Sequence, residues 1–517
     1  MTSPTAVIQN IYGKIKKEWR LAFASTVVIA LLIHMPVLLS DIPNHDGLDS
    51  MYFDQNMITS GRWFLMVACG FSSFYTIPWI IGILGICFLG IAAAAIMEIL
   101  EVKKPWAIVL CSGLLAAFPA LASTFAYVFT LDGYMLALLL AVLAVLFTKK
   151  YRKGFLAGGV CLAFSLGTYQ AYLPFAIILS VFSILMLAME EGKTAEKVKK
   201  GLQYLYMGII GVVLYYVILQ VLLKIQGKEL ASYQGINDMT SGAAAGGGLL
   251  STLAGMYRDF LKFTLRGNVL YQNIISCAAL LILLAAAAVT ALALVRQRKW
   301  WKNPFFFVII GVAVIVLPLA TNIILMISPD VTYHLLMRYQ WVLYLIGLIA
   351  FAGRHAEKTR FSGQVEWAAF AAAVVLVFFY GVTDNVAYSN LQKRYEKTYA
   401  YCVRLLDRIE QTPGYYQGIP IAMIGVVGEE QYPQTDITLS VTSNMIGMNG
   451  DSLLYTGENY RKFMQHYLGA TLNILPAEAM EEMYYSQEYI EMDSFPGENS
   501  IRIIDGIMYI KTENVSR

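Results

Sequence analysis

Residues 43–64, PNHDGLDSMYFDQNMITSGRWF, lie between two long apolar runs. They gather Asp46, Asp49 and Asp54 with His45 and Arg62, in a chain that is only 14% charged. If Asn44 or Asp46 caps a short helix here, Asp46 and Asp49 fall three residues apart on one face, and Phe53 and Met57 continue an apolar stripe. Such a helix lies in a membrane interface with its acids towards a cavity. A carboxylate held this way can take the proton of a sugar hydroxyl as that hydroxyl attacks an anomeric carbon. Its unperturbed pKa of about 4 makes positioning matter more than basicity. Two carboxylates can instead hold a divalent cation such as magnesium or manganese. The plainest alternative makes Asp46 a helix cap and leaves the other acids as solvated loop charges.

A reaction that releases a lipid phosphate also needs a cation at the leaving group, and arginine suits phosphate better than lysine. Arg338 opens an apolar segment directly after a loop, which puts it at headgroup level, as a phosphate ligand or as an interfacial anchor. Arg62 in SGRWF is a structural cap or a contact to Asp46 or Asp49, and Arg258 shares its layer. Asp132 in TLDGYM opens a helix, where capping competes with substrate binding. Tyr169 and Gln170 in TYQAYLP, with Arg266, Asp330 and His334, complete the layer. An ionisable group in hydrocarbon costs at least ~2.5 kcal/mol. Apart from His34 and Glu98 the apolar segments are nearly free of them, which favours chemistry at one interface over a path across the membrane.

The elements that must position these residues are membrane helices. The chain has 517 residues, 58% of them hydrophobic, and a mean hydropathy of +0.58. Apolar segments fall at about 21–40, 76–98, 106–124, 133–148, 155–170, 173–189, 203–223, 270–295, 304–327, 335–352 and 366–383. This is a polytopic α-helical membrane protein with about eleven transmembrane helices. The basic connectors Lys14–Arg20, Lys103–Lys104, Lys149–Lys153, Lys193–Lys200, Arg296–Lys302 and Arg354–Arg360 all fall on one side if the spans alternate. By the positive-inside rule that side, with the N-terminus, is cytoplasmic. The first loop (41–75), residues 225–268, 328–334 and everything after 384 are then outside.

Lys14 to Arg20 before the first run, with no small-residue cleavage site after it, read as a retained signal anchor. Six scattered cysteines without metal-ligand spacing read as packing residues, and a net charge of +3 gives no reason to expect nucleic acid. The Gly/Ala run at 241–248 reads as a mobile stretch of an outer loop. From about 384 the composition turns polar. An amphipathic helix with Tyr401, Leu405 and Ile409 on one face, a strand in IPIAMIGVVG, a helix near 458–468 and a hairpin turned at Asp505-Gly506 make 384–517 a small extracytoplasmic α/β domain behind a membrane module of 1–383.

Three stretches carry a resemblance: HDGLDSMYFDQNMITSGRWF; FAYVFTLDGYMLALLLAVLAV followed by SLGTYQAYLP; and Arg338 before a late helix, with a soluble region at the C-terminus. Together they resemble the bacterial membrane glucosyltransferases that decorate O-antigens and related surface glycans, a branch of the GT-C glycosyltransferases. The resemblance implies a GT-C-like fold in the bacterial cytoplasmic membrane. It also implies a polyprenyl-phosphate-linked sugar donor, glucose in the family's usual case, and a cell-surface glycan acceptor on the outer face. A first-loop aspartate is then the base of an inverting attack, which carries over to Asp46 or Asp49. His45-Asp46 with Asp49 three residues on departs from the family's commoner adjacent acid pair, so the choice between the two acids, and the use of a metal, stays open. The competing class is a transporter of lipid-linked glycans, which predicts a polar path at mid-depth. A third reading is a binding or scaffold protein built around its C-terminal region.

Overall fold

The computed structural model describes residues 3–50, 52–231, 249–299, 304–328, 331–355, 360–424, 441–442, 445, 448, 454 and 457–512. Among these residues eight helices are long and apolar enough to cross a membrane. They are Lys17–Leu39, Pro78–Ile99, Val128–Lys150, Gln170–Met189, Thr194–Gln226, Ile274–Arg298, Leu335–Arg354 and the apolar part of Ser362–Gln411. The helices Pro105–Ala117 and Pro119–Phe125, bent by 48°, are long and apolar enough only as a pair. Pro119 causes that bend, because its ring cannot sit within a helix and it starts a new one instead. The segments expected at 155–170 and 304–327 are helical but shorter, Gly154–Thr168 and Pro304–Thr321. The first loop adds an apolar helix of its own, Leu65–Tyr75. The Gly/Ala run at 241–248 and Asp330 lie outside the described residues.

Small residues let these helices approach closely. Ala92 to Ala95 are all buried in Pro78–Ile99, which packs between Lys17–Leu39 and the Leu131–Lys150 helix. Gly154–Thr168 packs against Leu131–Lys150 on one side and Thr194–Gln226 on the other, and Ile274–Arg298 lies along Ser362–Gln411. Ion pairs join the basic connectors at one end of the bundle: Lys16–Glu98 at 2.5 Å, Lys149–Glu101 at 2.9 Å, Arg354–Glu101 at 2.8 Å and Lys104–Glu366 at 2.8 Å. Arg298 donates to the Met189 carbonyl at 3.1 Å at the same end. That shared end is the arrangement an alternating chain requires.

The last long helix, Ser362–Gln411, is continuous over 50 residues. A domain border at 383/384 therefore falls inside a helix. The composition turns polar there, but no glycine or proline interrupts residues 384–411, so the helix leaves the apolar layer without ending. Beyond it a four-stranded sheet has the order β2-β1-β4-β3, from β1 (Pro420–Ile424), β2 (Asn473–Ile474), β3 (Ile501–Ile504) and β4 (Ile507–Lys511). β1 runs parallel to both β2 and β4. β3 and β4 form a hairpin with Asp505 at φ 49° and Gly506 at φ 80°, the two left-handed residues that such a turn demands. Tyr401, Leu405 and Ile409 share this core with Ile421, Met508 and the Gly457–Leu468 helix. Leu48 of the first loop is buried in the same cluster.

Candidate active site

The loop helix spans His45–Ser50. Asn44, fully buried, starts it: its Oδ1 accepts the Gly47 N–H at 2.7 Å and its Nδ2 donates to the Ala126 carbonyl at 3.0 Å. The cap is therefore Asn44, not Asp46. Asp46 is left exposed in the first turn, where the helix dipole favours a carboxylate. The helix stops at Ser50, and Tyr52 and Gln55 turn the chain at φ 56° and 58°. Phe53 and Met57 thus lie beyond the helix and do not extend its apolar face. Leu48 supplies that face. Asp54 accepts the Asn56 N–H at 3.0 Å and stabilises its own turn.

The structure separates the two expected catalytic acids. Asn459 donates its Nδ2 to Asp49 Oδ1 at 2.9 Å. Lys462 Nζ donates to the Asp49 carbonyl at 3.1 Å and stands 3.7 Å from the carboxylate. The Gly457–Leu468 helix therefore clamps the loop through Asp49. Beside this clamp the His466 ring lies 5.2 Å from that of Tyr52, and burial, then Lys462 and Arg461, push the His466 imidazole pKa down. A divalent cation shared by Asp46 and Asp49 does not fit this donor set, because the Lys462 ammonium already stands at Asp49. Among the described residues no three His, Cys, Asp or Glu side chains group as metal ligands.

Arg62 follows a tight turn, Ile58–Ser60, that closes on Gly61 at φ 76°. A Cβ on Gly61 would fall 2.6 Å from the Tyr215 hydroxyl and 2.8 Å from Gln170 Nε2, so both the conformation and the space call for glycine. The Gln170 amide donates to the Ser60 carbonyl and to the Tyr215 hydroxyl, each at 3.2 Å. Tyr215 in turn donates to the Gly61 carbonyl at 3.1 Å. Arg62 projects from this frame over the ring of Tyr169 at 5.2 Å and donates to the Tyr134 hydroxyl at 3.4 Å. Tyr134 and Tyr169 stack at 4.2 Å with 11° between planes. Arg62, Tyr169 and Gln170 are thus brought to one place, together with Tyr134 and Tyr215, while Asp46 stands on the loop helix that precedes this turn.

Three expected site residues lie apart from this cluster. Asp132 is buried, accepts from Ser72 at 2.6 Å and from the Gly133 N–H at 2.9 Å, and so joins the Leu65–Tyr75 helix to the start of its own. Arg338 does not snorkel towards solvent. It is 7% exposed, gripped by Asp259 through two bonds of 2.7 and 2.9 Å, and donates to the Tyr333 carbonyl at 3.3 Å. Burial pushes the neighbouring Tyr333 hydroxyl pKa up, and Arg338 only partly offsets it. Arg258 is exposed on the helix that carries Asp259.

Tyr134, Tyr215, Asp259, Asn459 and Lys462 were not singled out in the sequence. Tyr134 stands two residues after Asp132 and Asp259 directly after Arg258, so local attention would have found them. Nothing local points from Asn459 to Asp49, 410 residues away. Asp384 was set outside the membrane module, yet it is fully buried, and among the described residues neither carboxylate oxygen has a hydrogen-bond partner.

The glucosyl transferase GtrII family model matches residues 35–352. Comparison with curated proteins and with solved structures finds no match. The matched stretch takes in the loop helix, the Arg62 cluster and the Arg338–Asp259 pair, and it ends before the last long helix. Since the match covers more than half of the 517 residues, this membrane protein, with its run of apolar helices, belongs to the glucosyl transferase GtrII family.

Proposed function

We propose that the chain transfers a sugar, glucose by its family, from a polyprenyl-phosphate donor to a surface glycan at the outer face of the cytoplasmic membrane. Asp46 acts as general base. It takes the proton of the acceptor hydroxyl as the oxygen bonds to the anomeric carbon, and the bond from that carbon to the phosphate oxygen breaks with its electron pair leaving on the lipid phosphate. A single displacement of this kind inverts the anomeric centre. Arg62 balances the charge that grows on the departing phosphate, while Tyr134 and Tyr169 hold its guanidinium and offer an aromatic wall to a sugar ring.

One observation carries the choice of base. Both acids are exposed, but the Gly457–Leu468 helix engages Asp49 through Asn459 and Lys462. In an assay with polyprenyl-phosphoglucose and purified acceptor glycan, Asp46→Asn lowers transfer by about 100-fold or more with the protein still folded. Asp49→Asn, which disturbs a clamp, lowers it by less than about 10-fold. The reverse order would make Asp49 the base, and full activity in both variants would end the first-loop mechanism.

A further inference from the structure

The Leu249–Arg266 helix packs on the Pro304–Thr321 helix and on the short Ile324–Ile327 helix that follows it. Its inner face sets Phe260 and Phe263 against Trp341, with ring centroids at 4.8 and 4.7 Å, and Asn322 donates to its Met256 carbonyl at 2.8 Å. At 100° per residue its outward face divides into two strips. Leu250, Leu261 and Leu265, 83%, 56% and 64% exposed, form one. Arg258, Lys262 and Arg266, spaced by four and all exposed, form the other. An apolar strip flanked by cations seats a helix in a bilayer surface, with its leucines among acyl chains and its cations at the level of phosphates.

Asp259 departs from this pattern. It turns inward to Arg338, whose guanidinium is sandwiched by the rings of Tyr333 at 3.8 Å and Phe263 at 4.4 Å. A carboxylate and a phosphate present a guanidinium with the same two-oxygen edge. A cation this deeply buried cannot be left without an anion, so whatever replaces Asp259 must bring its own negative charge.

We propose that this helix receives a membrane-borne phosphate monoester or diester at the bilayer surface, and that Asp259 is the resident anion which the lipid phosphate displaces from Arg338. The proposal rests on the lipid-phosphate donor of the preceding reading and adds a guarded site for it. Once displaced, the Asp259 carboxylate has Lys262 three residues on, one turn along the same face. The exchange therefore trades one ion pair for two, and the same carboxylate returns to Arg338 when the spent lipid phosphate leaves.

The test uses the full-length protein in detergent, with polyprenyl phosphate and inorganic phosphate as probes. Carbodiimide coupling of an amine to Asp259, read by peptide mass spectrometry, is low in the protein alone and rises several-fold on saturation with polyprenyl phosphate. Inorganic phosphate leaves it low. Asp259→Asn binds polyprenyl phosphate about 10-fold more tightly, Asp259→Glu stays near the parent protein, and the double variant Lys262→Gln, Arg266→Gln binds about 3-fold to 10-fold more weakly. Unchanged labelling at saturating lipid overturns the proposal, and the labelling needs no variant to fold. So does equal or weaker binding by a folded Asp259→Asn, and a rise with inorganic phosphate alone overturns the assignment to a lipid. None of these readouts needs sugar transfer. Exchange without transfer activity would overturn the catalytic reading and leave this one; activity without exchange would do the opposite.

Discussion

At one end of the bundle Lys149 and Arg354 share Glu101, Lys104 meets Glu366 and Lys16 meets Glu98, with between 24% and 52% of each side chain in solvent. At the other end Arg62 leans on stacked tyrosines, and Arg338 is 8% exposed between two rings and a carboxylate. The residue types are the same and the physics differs. Exposed pairs are screened by water and each contributes about 0–1 kcal/mol. A cation enclosed by aromatic rings is stripped of water, binds an anion strongly and is costly to leave without one. The first end fastens connectors. The second encloses its cations among aromatic rings.

Substitutions at four positions sharpen or break that contrast. The largest effect is expected at Arg62: Arg62→Ala lowers kcat/KM for the donor by about 50-fold, and Arg62→Lys recovers little because a lysine neither forks nor stacks. Steady-state transfer rates decide this, and full rescue by lysine would reduce Arg62 to a point charge. Gly61→Ala follows, with an expected loss of about 10-fold in kcat/KM, because the new methyl collides with Tyr215 and Gln170 and tilts the frame that aims Arg62. Leu48→Ala empties part of the core beneath the clamp and costs about 2–4 kcal/mol of local stability. Hydrogen exchange should then rise in the Gly457–Leu468 helix and in the loop helix together, and unchanged protection there would show that the two do not move as a unit. The smallest effect belongs to the opposite end. Glu101→Gln shifts stability by no more than about 1 kcal/mol and leaves transfer untouched, so a loss of activity comparable to Arg62→Ala would erase the distinction between the ends.

The legible parts of this molecule were those written in local patterns. Apolar runs close to the length of a hydrocarbon core marked the helices, including the two short ones. β1, the Gly457–Leu468 helix and the turn at Asp505-Gly506 were readable from alternation, amphipathic spacing and turn chemistry. Arg62, Tyr169 and Gln170 are readable as members of one polar layer, and the structure sets them around one turn. The partners of Asp49, Asn459 and Lys462, lie at the far end of the chain, and no local pattern links them to the first loop. The anion at Arg338 is hidden from the sequence for a related reason. That anion, Asp259, is 79 residues away, and without it the arginine looks like an anchor. The border expected at 384 falls inside a continuous helix, since composition records the surroundings of a helix and not where it ends.

The uninterrupted Ser362–Gln411 helix has a mechanical consequence. Fifty residues at 1.5 Å each make a rod of about 75 Å, rooted among the spans at one end and built into the sheet's core at the other. A rod transmits angle as well as height: each inserted residue would lift the distal part by about 1.5 Å and swing it by about 100°. The grip of Asn459 and Lys462 on the loop is therefore phased by a helix that touches neither reactant. Adding two alanines beyond Tyr388 should carry the clamp to the wrong side of the loop, while adding seven should bring it back into phase about 10 Å too high. The last helix is a gauge for the distance between membrane and clamp, and its length in residues is as much a part of the site as any side chain in it.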